Sequence, residues 1–345
     1  MEEGNVFCVQ AQAAMNIGGM QAKHIVLMPP NWLGDVILAQ PALRAITHAY
    51  PEANISVFGR PWLPELLPFL NLNHPYVQYV DDMPKRSDAV FLFPNSLRSA
   101  LQAFKSRARQ RIGYRKEGRG IFLTHAYTPR VDLIHEHHRS YYLDMLRQYG
   151  LATPFDEVEL VAPETAQQQA IQQLEKHGIQ PDHFVCVAPG AQFGGAKRYP
   201  AESYAEVLAK LSDDGWDIVT LGTSEERDIA ETCLSKVQGK LWNAAGETSL
   251  SQALQLVSVA KLMLCNDSGL MHVAAGLGIP TVTMFGATNP ARTSPSGKRV
   301  ALLYKPADCS PCLKRECEVE GHPCMRNISP QDVIQACDKI LASTV

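Results

Sequence analysis

The feature that most constrains the fold is an alternation, begun twice, of short apolar runs and amphipathic stretches joined by turns rich in glycine, proline and aspartate. The first round opens with His24-Ile25-Val26-Leu27-Met28 and turns through Pro29-Pro30-Asn31-Trp32-Leu33-Gly34-Asp35. It then places Val36, Ile37, Ala39, Leu43 and Ile46 at helical spacing. This predicts a strand at 24–28 and a helix over about 36–49. Further strands are expected at 54–58, 77–80 and 89–93, and a helix over 135–150 that stops at Gly150. The second round opens at Phe184, with strands at 184–188, 217–221, 261–265 and 281–285. Helices over 200–213, 225–236, 250–259 and 269–276 fall between and after these strands. Two more helices are expected over 164–177 and 329–342. Strands alternating with helices imply mostly parallel sheets covered on both faces, an α/β architecture.

A chain of 345 residues is long enough for two such units at roughly 100–200 residues each. The expected division is a disordered or mis-started extension over 1–22, a first unit over 23–170, a second over 171–328 and a closing helix over 329–345. Met15 and Met20, just upstream of the first strand, suggest the mis-started reading. In open α/β sheets ligands sit beyond the carboxyl ends of the strands. The turns after strands are therefore where function is sought, and a cleft enclosed by two such lobes is the expected ligand site.

Composition removes several classes. The net charge of −3 argues against a general nucleic-acid binder. No apolar run reaches the ~18 residues of a membrane span. Met1-Glu2-Glu3 is acidic and no apolar run follows, so no export signal is read and the expectation is a cytoplasmic protein. The nine cysteines then suggest thiols or metal ligands before disulfides. One local excess stands out. Arg98, Lys105, Arg107, Arg109, Arg111, Arg115, Lys116 and Arg119 face only Glu117 within 98–119. Such a stretch is either a solvated helix face or a dock for an anionic partner such as a phosphate, a carboxylated sugar or a membrane surface.

Four motifs carry candidate chemistry. Asp267-Ser268-Gly269-Leu270-Met271-His272 reads either as a helix N-cap or as a ligand site. In the second reading the N–H groups of Ser268 and Gly269 face a phosphate and Asp267 orients sugar hydroxyls. Pro189-Gly190-Ala191-Gln192-Phe193-Gly194-Gly195-Ala196-Lys197-Arg198-Tyr199-Pro200 lacks the Gly-Lys-Ser/Thr of a P-loop. It is an ordinary loop, or a flexible turn in which Lys197 meets a diphosphate as a point charge. Asp35 in the first strand–helix turn is an N-cap or a general base. Cys309-x2-Cys312-x4-Cys317-x6-Cys324, with His322, holds only one pair at zinc-site spacing. Reduced thiols packing a loop, a disulfide and a structural metal all remain open for it. Gly276-Leu277-Gly278 lacks the dinucleotide fingerprint, and His135-Glu136-His137-His138 is not H-E-x-x-H because Arg stands at 139.

In combination these motifs resemble a known family. Pro30-Asn31-Trp32-Leu33-Gly34-Asp35 with Gln40-Pro41-Ala42-Leu43-Arg44 is similar to the N-terminal signature of the ADP-heptose:lipopolysaccharide heptosyltransferases, glycosyltransferase family 9. The 189–200 loop resembles their second motif. Asn266-Asp267-Ser268-Gly269-Leu270-Met271-His272-Val273-Ala274, with Pro280 and Phe285-Gly286, resembles their third. The cysteine cluster resembles the type II branch. The likeness runs from about His24 to the C-terminus.

The resemblance implies a GT-B fold of two Rossmann-like lobes facing across a cleft. It implies an inverting transfer of L-glycero-D-manno-heptose from ADP-heptose to the first heptose of the inner core, on heptosyl-Kdo2-lipid A. Asp35 is the implied base, and Lys197 stabilises the leaving diphosphate. Gly190, Gln192, Lys197, Thr223, Ser224, Asp267, Ser268, Gly269 and His272 are the implied donor contacts. Asn31, Trp32, Gly34, Arg60, Arg98 and Arg111 are the candidate acceptor contacts. No metal or other cofactor is expected. The enzyme is expected at the cytoplasmic face of the inner membrane without spanning it, with no nucleic-acid partner. The alternatives are a sister transferase adding the first or a later heptose, a nucleotide-sugar epimerase of the same two-lobed fold, and a non-catalytic binding protein.

Overall fold

The structure, a computed structural model, describes residues 22–343. The extension expected over 1–22 lies, Ala22 apart, outside the described residues. Contacts divide the chain into two units that meet in sequence between Glu159 and Leu160.

In the first unit, strands β1 (His24–Met28), β2 (Asn54–Val57), β3 (Val77–Tyr79), β4 (Ala89–Leu92), β5 (Gln110–Tyr114) and β6 (His125–Tyr127) form one sheet in the order β3-β2-β1-β4-β5-β6. Every pairing is parallel. Helices α1 (Leu33–Ala49), α2 (Leu97–Lys105) and α3 (His138–Tyr149) belong to the same unit. This is the strand order of a Rossmann-like fold, and its switch point lies between β1 and β4. Strand β1 is buried from Ile25 onward and β4 throughout, as two-sided cover demands.

Helix α1 starts earlier than the turn chemistry suggested. Trp32 is the N-cap residue and Asp35 falls in the first turn, so Asp35 is not the cap. The helix is buried on most of its circumference. Gln40, fully buried, donates to the carbonyls of Leu70 at 2.8 Å and Glu159 at 2.9 Å. That part of the N-terminal signature is therefore scaffold.

The second unit repeats the plan. Helix α4 (Glu164–Lys176) precedes β7 (Phe184–Ala188), α5 (Ala201–Asp213), β8 (Asp217–Thr220), α6 (Arg227–Leu234), β9 (Leu241–Asn243) and α7 (Leu250–Val259). Then come β10 (Leu262–Asn266), α8 (Gly269–Gly276), β11 (Thr281–Phe285), β12 (Val300–Tyr304) and α9 (Pro330–Ala342). The sheet order is β12-β11-β10-β7-β8-β9, again all parallel. Read from β9, it is the Rossmann-like order once more, with the switch point between β7 and β10.

Two expected boundaries move. Helix α4 packs on α7 through Ala166, Ala170 and Leu174, so it opens the second unit instead of closing the first. Helix α9 packs on α5 and β12, with Val333, Cys337 and Ile340 in the shared core, so it is part of that unit and not an appendage. Each unit is thus Rossmann-like, as the GT-B expectation requires.

Candidate functional site

Both switch points carry the sequence motifs. In the second unit the loop after β7 and the start of α8 after β10 are drawn together by Asn266, the last residue of β10. Its Nδ2 donates to the carbonyls of Pro189 at 2.6 Å and Gly190 at 3.3 Å. Its Oδ1 accepts from the Tyr199 N–H at 3.0 Å and the Tyr204 hydroxyl at 3.1 Å. One buried amide thus fixes both ends of the 189–200 loop, a role the sequence did not reveal.

Lys197, in the 3-10 turn Gly195–Lys197, reaches Asp267 Oδ2 at 2.6 Å. The pair is enclosed, with side-chain exposures of 13% for Lys197 and 4% for Asp267. Thr288 Oγ1 donates to the same oxygen at 2.6 Å. The Lys197 ammonium also lies 4.8 Å from the centre of the Phe193 ring. Asp267 was expected to orient sugar hydroxyls, but in this structure its carboxylate is engaged in holding the lysine.

Helix α8 begins beside this pair. Ser268 is its N-cap residue, in extended backbone conformation, and its side chain makes no capping bond. Among the described residues, the enclosed Ser268 Oγ has no hydrogen-bond partner. Enclosed polar groups left unsatisfied mark places where a ligand or water completes the set. Together with the unpaired N–H groups of a helix start, this favours an anion. His272, one turn on, is buried.

Gly190 and Gln192 lie in the loop after β7, the glycine buried and the glutamine exposed. A Cβ at Gly190 would stand 2.1 Å from Glu226 Oε1. Glu226 is buried, and its Oε2 accepts from the Thr223 N–H at 3.0 Å in a capping box after β8. Thr223 is therefore tied to Glu226, while Ser224 is exposed. Gly190 has to be glycine because a carboxylate fills the place of its side chain.

The cysteine segment grips the same loop. Arg315 O accepts from the Ala196 N–H at 2.9 Å, Glu316 Oε1 from the Gly195 N–H at 3.1 Å, and His322 Nε2 donates to Ala196 O at 3.0 Å. Cys309, Cys312, Cys317 and Cys324 line one pocket with Ala196 and His322. The four thiols are uncrosslinked, and burial pushes the Cys324 thiol up. Among the described residues no three His, Cys, Asp or Glu side chains are arranged to hold a metal ion.

Gly194 sits at φ +154°, and a Cβ there would fall 2.1 Å from Arg315 O. Gly194→Ala is expected to cost about 1–3 kcal/mol of stability. Thermal unfolding checks this; a wild-type unfolding temperature would show that the grip is dispensable.

In the first unit Asp35 opens α1 at the switch point, with its side chain 37% exposed. Its Oδ1 is 4.0 Å from His138 Nε2. The His138 ring is stacked on Tyr141, with centroids 5.3 Å apart and planes 13° apart, and is hydrogen-bonded to the Tyr142 hydroxyl at 3.1 Å. The His-rich segment thus supplies a neighbour for Asp35, which its failure to match a metal motif had concealed.

Asn31, Trp32, Arg60 and Arg98 are exposed and Gly34 is part-buried, each in or just after a turn that follows a strand. Arg111 is held by the carbonyls of Phe122 at 2.7 Å and Ala108 at 2.6 Å. Arg119, from the same basic stretch, is wholly buried and bonds to Tyr114 O at 2.8 Å and to Pro94 O. Desolvation lowers its pKa to about 10, still protonated at neutral pH.

Comparison with known proteins points one way. The family described as "Glycosyltransferase family 9 (heptosyltransferase)" matches residues 84–322. Lipopolysaccharide heptosyltransferase 2 of Escherichia coli strain K12 is 29% identical, over 92% of this chain and 98% of that protein. Lipooligosaccharide heptosyltransferase 2 of Haemophilus influenzae is 26% identical, over 92% of this chain and 99% of that protein. The solved E. coli ADP-heptose lps heptosyltransferase II superposes with a TM-score of 0.78 at 27% identity, covering 93% of this chain and 99% of the other.

Proposed function

The chain belongs to glycosyltransferase family 9, and from that premise we propose that it transfers L-glycero-D-manno-heptose from ADP-heptose to the first heptose of the lipopolysaccharide inner core. It is a glycosyltransferase, and relatives matched over nearly their whole length are heptosyltransferases of type 2. They favour heptose transfer over the epimerase and binding-protein readings.

The observation that carries the donor side is the enclosed pair of Lys197 and Asp267 at the opening of α8. A diphosphate needs positive charge where its leaving oxygen becomes more negative. Lys197 supplies an ammonium group, held by Asp267, whose Oδ2 also accepts from Thr288. The N–H groups at Ser268 and Gly269 supply partial charge, and the Ser268 hydroxyl can donate.

On the acceptor side Asp35 takes the proton of the attacking hydroxyl. The hydroxyl oxygen bonds to the anomeric carbon from the face opposite ADP, the bond to the diphosphate oxygen breaks, and the configuration inverts. Asn31, Trp32, Gly34, Arg60 and Arg98 are the candidate acceptor contacts in this reading. Arg111 braces the 108–122 segment as well as offering charge. Because Lys197 and the helix start supply the positive field, transfer is proposed to need no divalent metal.

No described helix is long and apolar enough to cross a membrane. Because the proposed acceptor is lipid-linked, it is proposed to be met at the cytoplasmic face of the inner membrane, with the enzyme bound peripherally.

ADP release from ADP-heptose, measured in EDTA, tests the reading. Three conditions are compared: lipid acceptor carrying one heptose, acceptor carrying none, and no acceptor. Release only with the one-heptose acceptor is expected. Release with the heptose-free acceptor would move the assignment to the enzyme that adds the first heptose. Activity that vanishes in EDTA and returns with a divalent metal would overturn the metal-free proposal.

A further inference from the structure

Helix α2 is built the wrong way round for a helix that merely covers a sheet. Its buried side chains are the small Ser99, Ala100 and Ala103. Its larger apolar side chains Leu97, Leu101 and Phe104, at i, i+4 and i+7, lie on another side, with Leu97 47% and Phe104 48% exposed, Leu101 part-buried between them, and the Arg111 guanidinium 5.5 Å from the centre of the Phe104 ring. An apolar stripe ordinarily faces the core.

The 3-10 turn Arg119–Phe122 extends this stripe. Phe122 meets Phe104 ring to ring at 5.4 Å. Ile121 beside it is 81% exposed, the most exposed large apolar side chain among the described residues. Exposed cations accompany the stripe: Arg98 and Lys105 on the helix, Arg107 just after it, and Arg115 and Lys116 just before the turn.

The turn is not loose. The buried Arg119 guanidinium ties it to Tyr114 O, Pro94 O and Ser99 Oγ, and reaches Asn95 Oδ1 at 3.4 Å. Asn95 in turn is hydrogen-bonded to the Tyr141 hydroxyl at 2.8 Å, and Tyr141 stacks on the His138 ring beside Asp35. A buried charge is thus used to present an exposed isoleucine rigidly, on a frame continuous with the candidate base.

We propose that the stripe of Leu97, Leu101 and Phe104 with Ile121, rimmed by Lys105, Arg107, Arg115 and Lys116, is the surface by which this unit docks on an anionic lipid bilayer. Apolar side chains enter the acyl boundary while cations stay at the headgroups, the balance that holds interfacial helices. Charge selects the occupant: a nearly acid-free cationic rim complements an anionic headgroup layer. The inference deepens the membrane-side reading above by naming its surface, and its test does not depend on heptose transfer.

The test is flotation of the full chain with vesicles of phosphatidylcholine alone and of phosphatidylcholine with phosphatidylglycerol. The wild-type chain is expected to float with the anionic vesicles only. Ile121→Asp should lower partitioning roughly tenfold, the scale of one buried aliphatic side chain. Lys105→Gln with Lys116→Gln should lower it roughly five-fold per cation, with the remaining binding weaker in salt. Both variants should keep the wild-type unfolding temperature and wild-type ADP release with detergent-dispersed acceptor. Equal flotation of the wild type and both variants, or no flotation of the wild type, would overturn the assignment. So would a raised KM for dispersed acceptor in the lysine variant with flotation intact, since the rim would then bind a free anionic sugar.

Discussion

Asp35→Asn is expected to lower turnover about 10²–10⁴-fold, the usual size of a general-base contribution, and to leave ADP-heptose affinity unchanged. The substitution keeps the shape and removes only the ability to take a proton. Asp35 suits the task by position: it lies in the first turn of α1, just after the central strand of its sheet. Its side chain is 37% exposed, so an acceptor hydroxyl can reach it. Single-turnover rates with saturating acceptor, set beside donor affinity from calorimetry, separate the two effects. Turnover within about threefold of wild type would move the base to another residue. A parallel fall in donor affinity would make Asp35 part of the donor site instead.

The central strands were legible because each is an uninterrupted apolar run: Ile25 to Met28, Val185 to Ala188 and Leu262 to Cys265 are buried on both faces. Of the outer strands only β3, expected over 77–80, β2 and β8 were legible; β5, β6, β9 and β12 were not. β5 reads Gln-Arg-Ile-Gly-Tyr and lies inside the basic stretch, where only Ile112 and Tyr114 signal burial. β6, β9 and β12 are short or only partly covered, and their residues lack a clear period. Charge misled in the same place. Arg119 looked like one more surface cation, yet its guanidinium is spent on backbone carbonyls, a use no spacing rule announces.

The candidate site divides in a similar way. The motif turns lie at the two switch points because chain order alone places them after first and fourth strands. Partnerships between distant residues were not readable. Asp267 seemed free to meet sugar, whereas Lys197 and Thr288, far away in sequence, converge on it. His138 acquires meaning beside Asp35 only when α3 is placed near the start of α1. Glu226 matters because a glycine leaves room for it.

Lys197→Ala should lower kcat/KM about 10²–10³-fold, the scale seen when one preorganised charge-stabilising donor is removed. It should also destabilise the chain by about 3–5 kcal/mol, because Asp267 becomes an enclosed carboxylate without its counter-ion. The two losses have different causes, and a second substitution separates them. Asp267→Asn in the Lys197→Ala background removes the stranded charge while keeping a polar partner for Thr288. The double variant is therefore expected to regain most of the stability, a large coupling between touching residues, while kcat/KM stays at the level of the single variant. If Lys197 served only to neutralise Asp267, both stability and activity would return together. If kcat/KM of Lys197→Ala alone matched wild type, the lysine would be scaffold, and the charge that meets the diphosphate would have to come from elsewhere. Recovery of one property without the other places the lysine on the reacting phosphate, since a merely structural ion pair has no means of separating them.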